Sequence, residues 1–153
     1  MIELRLNIDI AAFKESNYVY IWFKSKPTLE PFYVGETSKS ISDRSGLHIR
    51  RTGSTSRSGS VVGTHIYNMK WPAQEYVVRG YEIPMSVLEA VAEENGATKD
   101  KKSQNKARKA IEYRLYVSLK EKYPELYKIR ASRWEAKSSE KFIGIILEET
   151  KNA

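Results

Sequence analysis

Apolar and polar residues alternate along the first ten positions. Ile2, Leu4, Leu6, Ile8 and Ile10 stand against Glu3, Arg5, Asn7 and Asp9. A period of two predicts a half-buried strand. "NYVYIWF" (Asn17 to Phe23) is bulky on both faces, with Tyr18, Tyr20 and Trp22 on one and Val19, Ile21 and Phe23 on the other, as expected of a central strand. The loop "KSKPTLEP" separates it from "FYVGE" (Phe32 to Glu36), and together they predict an antiparallel hairpin. In that hairpin Tyr20 and Tyr33 project from one face, and Gly35 near Tyr20 leaves room above the sheet.

Ser40 and Asp43 match a helix-opening cap, and the helix from Ile41 aligns Arg44, His48 and Arg51 in one stripe. A Gly/Ser/Thr loop follows (Arg51 to Thr64), then a short helical turn, "HIYNMKW", ending before Pro72. "QEYVVRGYEIP" (Gln74 to Pro84) predicts a third sheet strand, and "MSVLEAVAEENG" a helix stopped by Gly96. After the polar, basic "ATKDKKSQNKARK", Ile111, Leu115 and Leu119 mark a long helix from about Gln104 to Tyr123, ended by Pro124. "KFIGIILEE" (Lys141 to Glu149) reads as a last strand, placed to pair with the first. The pattern has no repeat and no domain boundary, which gives one domain over residues 1–153. Its core covers about 17–123, with terminal additions at 1–16 and 124–153.

Composition narrows the function. The chain carries 26 Lys and Arg against 19 Asp and Glu, a net charge of +7. That excess attracts polyanions, of which nucleic acid is the commonest. There is no cysteine, which excludes disulfides and thiolate metal sites and fits a cytoplasmic location. No run of about 18 apolar residues predicts a membrane span. The charged start "MIELRLNIDI" does not read as a secretory signal.

Two tyrosines and a glycine at a hairpin end form a shallow shelf. Arg44, in the first turn of the next helix, can point at it, and the helix N-terminus adds positive potential. A phosphodiester fits such a place, because guanidinium offers a planar donor fork to phosphate oxygens. Mg²⁺ (or Mn²⁺) is the natural cofactor, since one carboxylate plus substrate oxygens can hold it. Glu112, mid-helix beside the buried stripe, is the selected acid. Lys39, Gly35, Arg51, Arg57, Lys101, Lys102, Lys106 and Arg108 are candidate nucleic-acid contacts. Taken singly, each of these residues has an ordinary explanation: a core aromatic, a strand end, a solvated helix face or a surface ion pair. Their order along the chain is the signal. His65 is a weaker candidate for the same site, and Trp71, Trp134 and Phe142 read as core.

That order resembles the GIY-YIG nucleases. "YVY" (Tyr18 to Tyr20) stands where the first tripeptide belongs, "YVG" (Tyr33 to Gly35) matches the second, "DRSGLH" supplies Arg44 and His48, and "AIEYRLYVSL" supplies Glu112. The resemblance spans roughly Asn17 to Tyr123. It implies an α+β, sandwich-like core with a small three-stranded antiparallel sheet flanked by helices, to which the terminal strands would be additions. It also implies a metal-dependent endonuclease, of restriction, repair or mobile-element type, that hydrolyses phosphodiesters. DNA is the expected polymer, and the sequence does not choose against RNA. A homodimer would cut both strands. In this likeness Glu112 binds the metal and Arg44 stabilises the pentavalent phosphate. Tyr20 acts as base or orients water, and Tyr33 and His48 position water or phosphate. The chain departs from the pattern in Tyr18 for Gly, in Glu36 after the second tripeptide, and in a window, "PELYKIR", without the Asn many members carry there. Glu36 and the missing Asn support an alternative, a catalytically impaired nucleic-acid-binding protein of the same fold.

Overall fold

A computed structural model describes residues 1, 7–24, 28–50, 62 and 75–152. The expected strand residues 2–6, the Ser-rich loop with Arg51 and Arg57, and the segment with His65 and Trp71 lie outside them.

The architecture is α+β. Strands β1 (Tyr18–Lys24), β2 (Glu30–Thr37) and β3 (Tyr76–Glu82) form one antiparallel sheet in the order β2-β1-β3. β1 is central, as its two apolar faces require: every residue from Tyr18 to Phe23 is buried. Tyr20 pairs with Gly35 on β2 and with Gly80 on β3, and Trp22 pairs with Tyr33. The register shifts between Trp22 and Phe23, which turns Phe32 to the same side of the sheet as Trp22.

Helices α1 (Ile41–Arg50), α2 (Met85–Glu94), α3 (Lys101–Lys122) and α4 (Glu140–Lys151) complete the fold. On one sheet face Val19, Ile21, Phe23 and Val34 join Leu88 and Val91 of α2, Ile111 and Leu115 of α3, and Ile143 and Ile146 of α4. Trp134 and Phe142 pack partly buried against this core. The other face carries Tyr18, Tyr20, Trp22 and Phe32, with Ile41 of α1 and Val62. Gly80 makes this docking possible, since a Cβ there would run into the Ile41 side chain. α1 opens as its sequence predicts: the Asp43 amide donates to Ser40 Oγ at 3.1 Å.

The C-terminal strand is corrected to helix, and the described part of the N-terminal one is not a strand. Among the described residues of the latter, Asp9 Oδ1 accepts the Ala11 amide at 2.9 Å and caps a 3₁₀ turn, Ile10–Phe13. Ile8 and Ile10 are 46% and 85% exposed, so the alternation buries no face there. The C-terminal segment is α4. Its buried positions, Ile143, Ile146 and Thr150, follow helical spacing within a continuous apolar run, where periodicity alone does not separate helix from strand. α3 also starts earlier than apolar periodicity indicates. Asp100 Oδ1 accepts the Ser103 amide at 2.7 Å, so the basic stretch from Lys101 forms the first turns of the helix. No helix among the described residues is long and apolar enough to cross a membrane.

Candidate active site

The site is built on the α1-covered face of the hairpin. Tyr20 lies across Gly35, so the space above this glycine is filled by the Tyr20 ring itself; any Cβ at position 35 would collide with the ring and its hydroxyl. This corrects the expectation that Gly35 leaves open room for a ligand. The glycine instead sets how low the phenol can lie on the strand.

α1 brings Arg44 and His48 to that phenol one turn apart. Arg44 Nε donates to the Tyr20 hydroxyl oxygen at 3.1 Å, and the same hydroxyl lies 3.1 Å from His48 Nε2. A guanidinium can only donate. The Tyr20 oxygen therefore accepts from Arg44, and its own proton is free to point at His48 Nε2. That arrangement favours the His48 tautomer protonated at Nδ1. The Tyr33 ring closes the cluster, with its centroid 6.3 Å from Tyr20 and 5.8 Å from His48. Trp22 packs edge-on against His48 at 5.9 Å.

Burial lifts the Tyr20 pKa above that of an ordinary phenol, and the neighbouring Tyr33 adds to the rise, while the Arg44 charge and hydrogen bond oppose it. Tyr33 is raised by burial and then by the charge of Glu112, again opposed by Arg44. Both phenols thus hold their protons unless further positive charge arrives.

Glu112 approaches from α3, which packs against β2. It is partly buried, one turn beyond Arg108 and next to the fully buried Ile111. Burial and then the charge of Glu36 push its pKa up to about 8, against the pull of Lys109, Arg44 and Arg108. The carboxyl makes no hydrogen bond or salt bridge among the described residues, so it is the one acid of the cluster left to take a cation. Among those residues no group of three His, Asp or Glu side chains gathers as a ready-made metal cage. A divalent ion here would rest on Glu112 and on substrate oxygens, which suits Mg²⁺ or Mn²⁺.

Glu36 borders the same cleft as Arg44, but its carboxylate is paired. It lies on the α3 side of β2, where Arg108 Nε donates to its carboxylate and Arg108 Nη1 to Asn17 Oδ1 at 2.8 Å. The Arg108 side chain is only 7% exposed. Arg108 is therefore a mostly buried ion-pair partner at the wall of the cleft rather than a free surface cation. Tyr18, standing for the glycine of the first tripeptide, is a packing residue whose hydroxyl donates to the Lys14 carbonyl at 2.9 Å.

Of the other proposed contacts, Lys101, Lys102 and Lys106 are exposed on α3, with Lys106 Nζ 5.6 Å from the Trp134 ring centroid. Lys39 is exposed and 3.7 Å from Glu15. A cleft of about 460 Å³ opens between Glu36, Thr37, Lys39, Asp43, Arg44 and Arg108, beside the cluster. A larger hollow of about 700 Å³ runs along β3 between Lys14, Tyr18, Tyr81 and Glu149 and touches none of the five clustered residues. It holds the exposed Lys14–Glu82 pair, at 3.0 Å, whereas the smaller cleft is lined by Arg44 of the cluster and is the better candidate.

Tyr127 is the neighbour that sequence reasoning missed. Its ring centroid lies 6.4 Å from Tyr33, and its amide donates to the Phe32 carbonyl at 2.9 Å along the β2 edge. It falls in the "PELYKIR" window, where the available signal is an apolar Leu126 directly before an aromatic. Compared with known protein families, curated proteins and solved structures, the chain has no match.

Proposed function

We propose that the chain is a metal-dependent endonuclease of GIY-YIG type that hydrolyses phosphodiester bonds in DNA. The observation that carries this reading is the joining of Tyr20 to Arg44 and His48 through one hydroxyl, with an unpaired Glu112 carboxyl within electrostatic reach of Arg44, Tyr20 and Tyr33.

Each residue has a role its environment supports. Arg44 stays cationic: burial works against its charge, but Tyr20, Tyr33 and Glu36 work for it, and the net shift is upward. It binds a phosphate oxygen and holds Tyr20 in place. Tyr20 orients the attacking water, and a proton reaching its oxygen has His48 Nε2 as the next acceptor. Tyr33 walls the site and keeps bulk water from the phenol. Glu112 is the residue that would hold a divalent cation. Such an ion supplies charge against the phosphate oxygens and makes water a better nucleophile at neutral pH.

The alternative, a binding protein without turnover, rests on Glu36 as a charge opposing phosphate and on the "PELYKIR" window without an Asn. Glu36 lines the cleft with Arg44, but its carboxylate is paired to Arg108, which lessens its opposition to phosphate. The test is supercoiled plasmid incubated with Mg²⁺ or Mn²⁺ and with wild type, Glu112→Ala or Arg44→Ala. Wild type should nick only with metal, and each variant should be slowed by about 100-fold or more. Full activity in Glu112→Ala, or tight DNA binding with no metal-dependent nicking, would defeat the reading.

A further inference from the structure

Tyr127 is a large aromatic residue left 50% exposed, although its neighbours in sequence and space are tightly held. Leu126 before it is 1% exposed and plugs the main core. The main chain is fixed around the pair: Leu126 N donates to the Tyr123 carbonyl at 3.0 Å, Lys120 Nζ donates to the Leu126 carbonyl at 2.6 Å, and Tyr127 N donates to Phe32 O at 2.9 Å. The ring is thus presented to solvent from a backbone that has little freedom left to lose on binding.

What it presents is the end of a ladder. From His48 and Tyr20 the rings run to Tyr33, at 5.8 and 6.3 Å, and from Tyr33 to Tyr127 at 6.4 Å. The ladder leads from the phenol held by Arg44 out to the surface. Lys128, Arg130 and Arg133 follow in the next six positions, all exposed and none in a salt bridge among the described residues. An exposed ring with exposed cations close along the chain is the combination that holds single-stranded nucleic acid: cations track the backbone and the ring stacks a base. A base inside a duplex has both faces covered by its neighbours, so only an unpaired one can use the ring.

We propose that Tyr127 stacks the unpaired base of the nucleotide beside the phosphodiester addressed by Tyr20 and Arg44, so that the substrate is nucleic acid that is single-stranded or frayed at the cut. The assignment rests on the nuclease reading. It makes Tyr127 a specificity residue, with Lys128 and Arg130 as its backbone clamps.

The test is fluorescence anisotropy in EDTA, where cleavage is silent, using a short single-stranded oligonucleotide and its blunt duplex. Wild type should prefer the single strand. Tyr127→Ala should weaken single-strand binding about 5- to 150-fold, the span expected for one base–aromatic stack, and leave duplex binding unchanged. Tyr127→Phe should retain the preference. Tyr127→Leu keeps an apolar cover over Tyr33 without an aromatic face, so it should behave like Tyr127→Ala while melting like wild type. Unchanged single-strand binding in Tyr127→Ala, or equal losses on both oligonucleotides, overturns the stacking role and leaves the nuclease reading standing. Failure of wild type to bind either oligonucleotide overturns both.

Discussion

At Glu112 a single carboxyl couples stability to pH. Its ordinary value is 4.5, and burial with the charge of Glu36 raises it to about 8 in the folded protein. Between those values the unfolded chain has released a proton that the folded protein keeps. Stability therefore falls as pH rises from 4.5 towards 8 and stays at the lower level above it. Glu112→Gln removes this dependence. Its advantage over wild type should be nil in acid and grow through that window, reaching on the order of 1–3 kcal/mol once partial exposure is allowed for. Urea denaturation across the pH range reads it directly, and added Mg²⁺ should restore wild type but not the variant. Parallel curves for the two proteins would remove both the raised pKa and the cation site. Gly35 makes a second residue-scale case: Gly35→Ala drives a methyl into the Tyr20 ring and should cost about 1–3 kcal/mol in the same assay. A neutral result would mean that the phenol does not lie across the strand. The meeting of Tyr20, Tyr33, Arg44 and His48 is legible in the sequence because strand alternation and helical spacing place each on a definite face; Glu112 is marked there only by its place beside the buried stripe. The filling of the space over Gly35 is not legible, because it depends on a rotamer of the partner strand.

Elements meet through contacts that the sequence separates widely, and α3 against β2 is the clearest case. Arg108 and Glu36 lie 72 residues apart, so a local reading assigns the arginine to solvent and the glutamate to the phosphate site. Brought together, with Asn17 on the second guanidinium nitrogen, they neutralise each other beneath the sheet. Arg108→Met would strand a largely buried carboxylate and should cost about 3 kcal/mol. Arg108→Met with Glu36→Leu should recover most of that loss, since replacing both members of a buried pair is often near neutral. A double-mutant cycle in urea with no coupling would show that the pair does not hold α3 to the sheet. The same limit explains the misread terminus. The hairpin and α1 carry their own signals in alternation, turn residues and the Ser40 cap, whereas α4 shows its helical period only once Ile143, Ile146 and Thr150 have a core to face.

The whole molecule carries a net +7, but only exposed, uncommitted cations can release counterions from a polyanion. Arg108 is neutralised inside the fold, and Lys39 lies 3.7 Å from Glu15. Lys101 and Lys102 are exposed on the first turn of α3, where the helix dipole also favours an anion, and neither forms a salt bridge among the described residues. Removing both should lower the slope of log affinity against log salt by about two, close to one for each phosphate that a lysine no longer neutralises. Arg108→Met serves as the internal control, because its charge is largely buried and paired to Glu36: it should change stability while leaving the slope as it is. The measurement is binding of a fixed DNA in EDTA over a range of salt concentrations. If Lys101→Ala/Lys102→Ala keeps the wild-type slope, the backbone path does not cross the start of α3. If Arg108→Met flattens the slope, the buried pair must open on DNA, and its charge belongs to the interface after all.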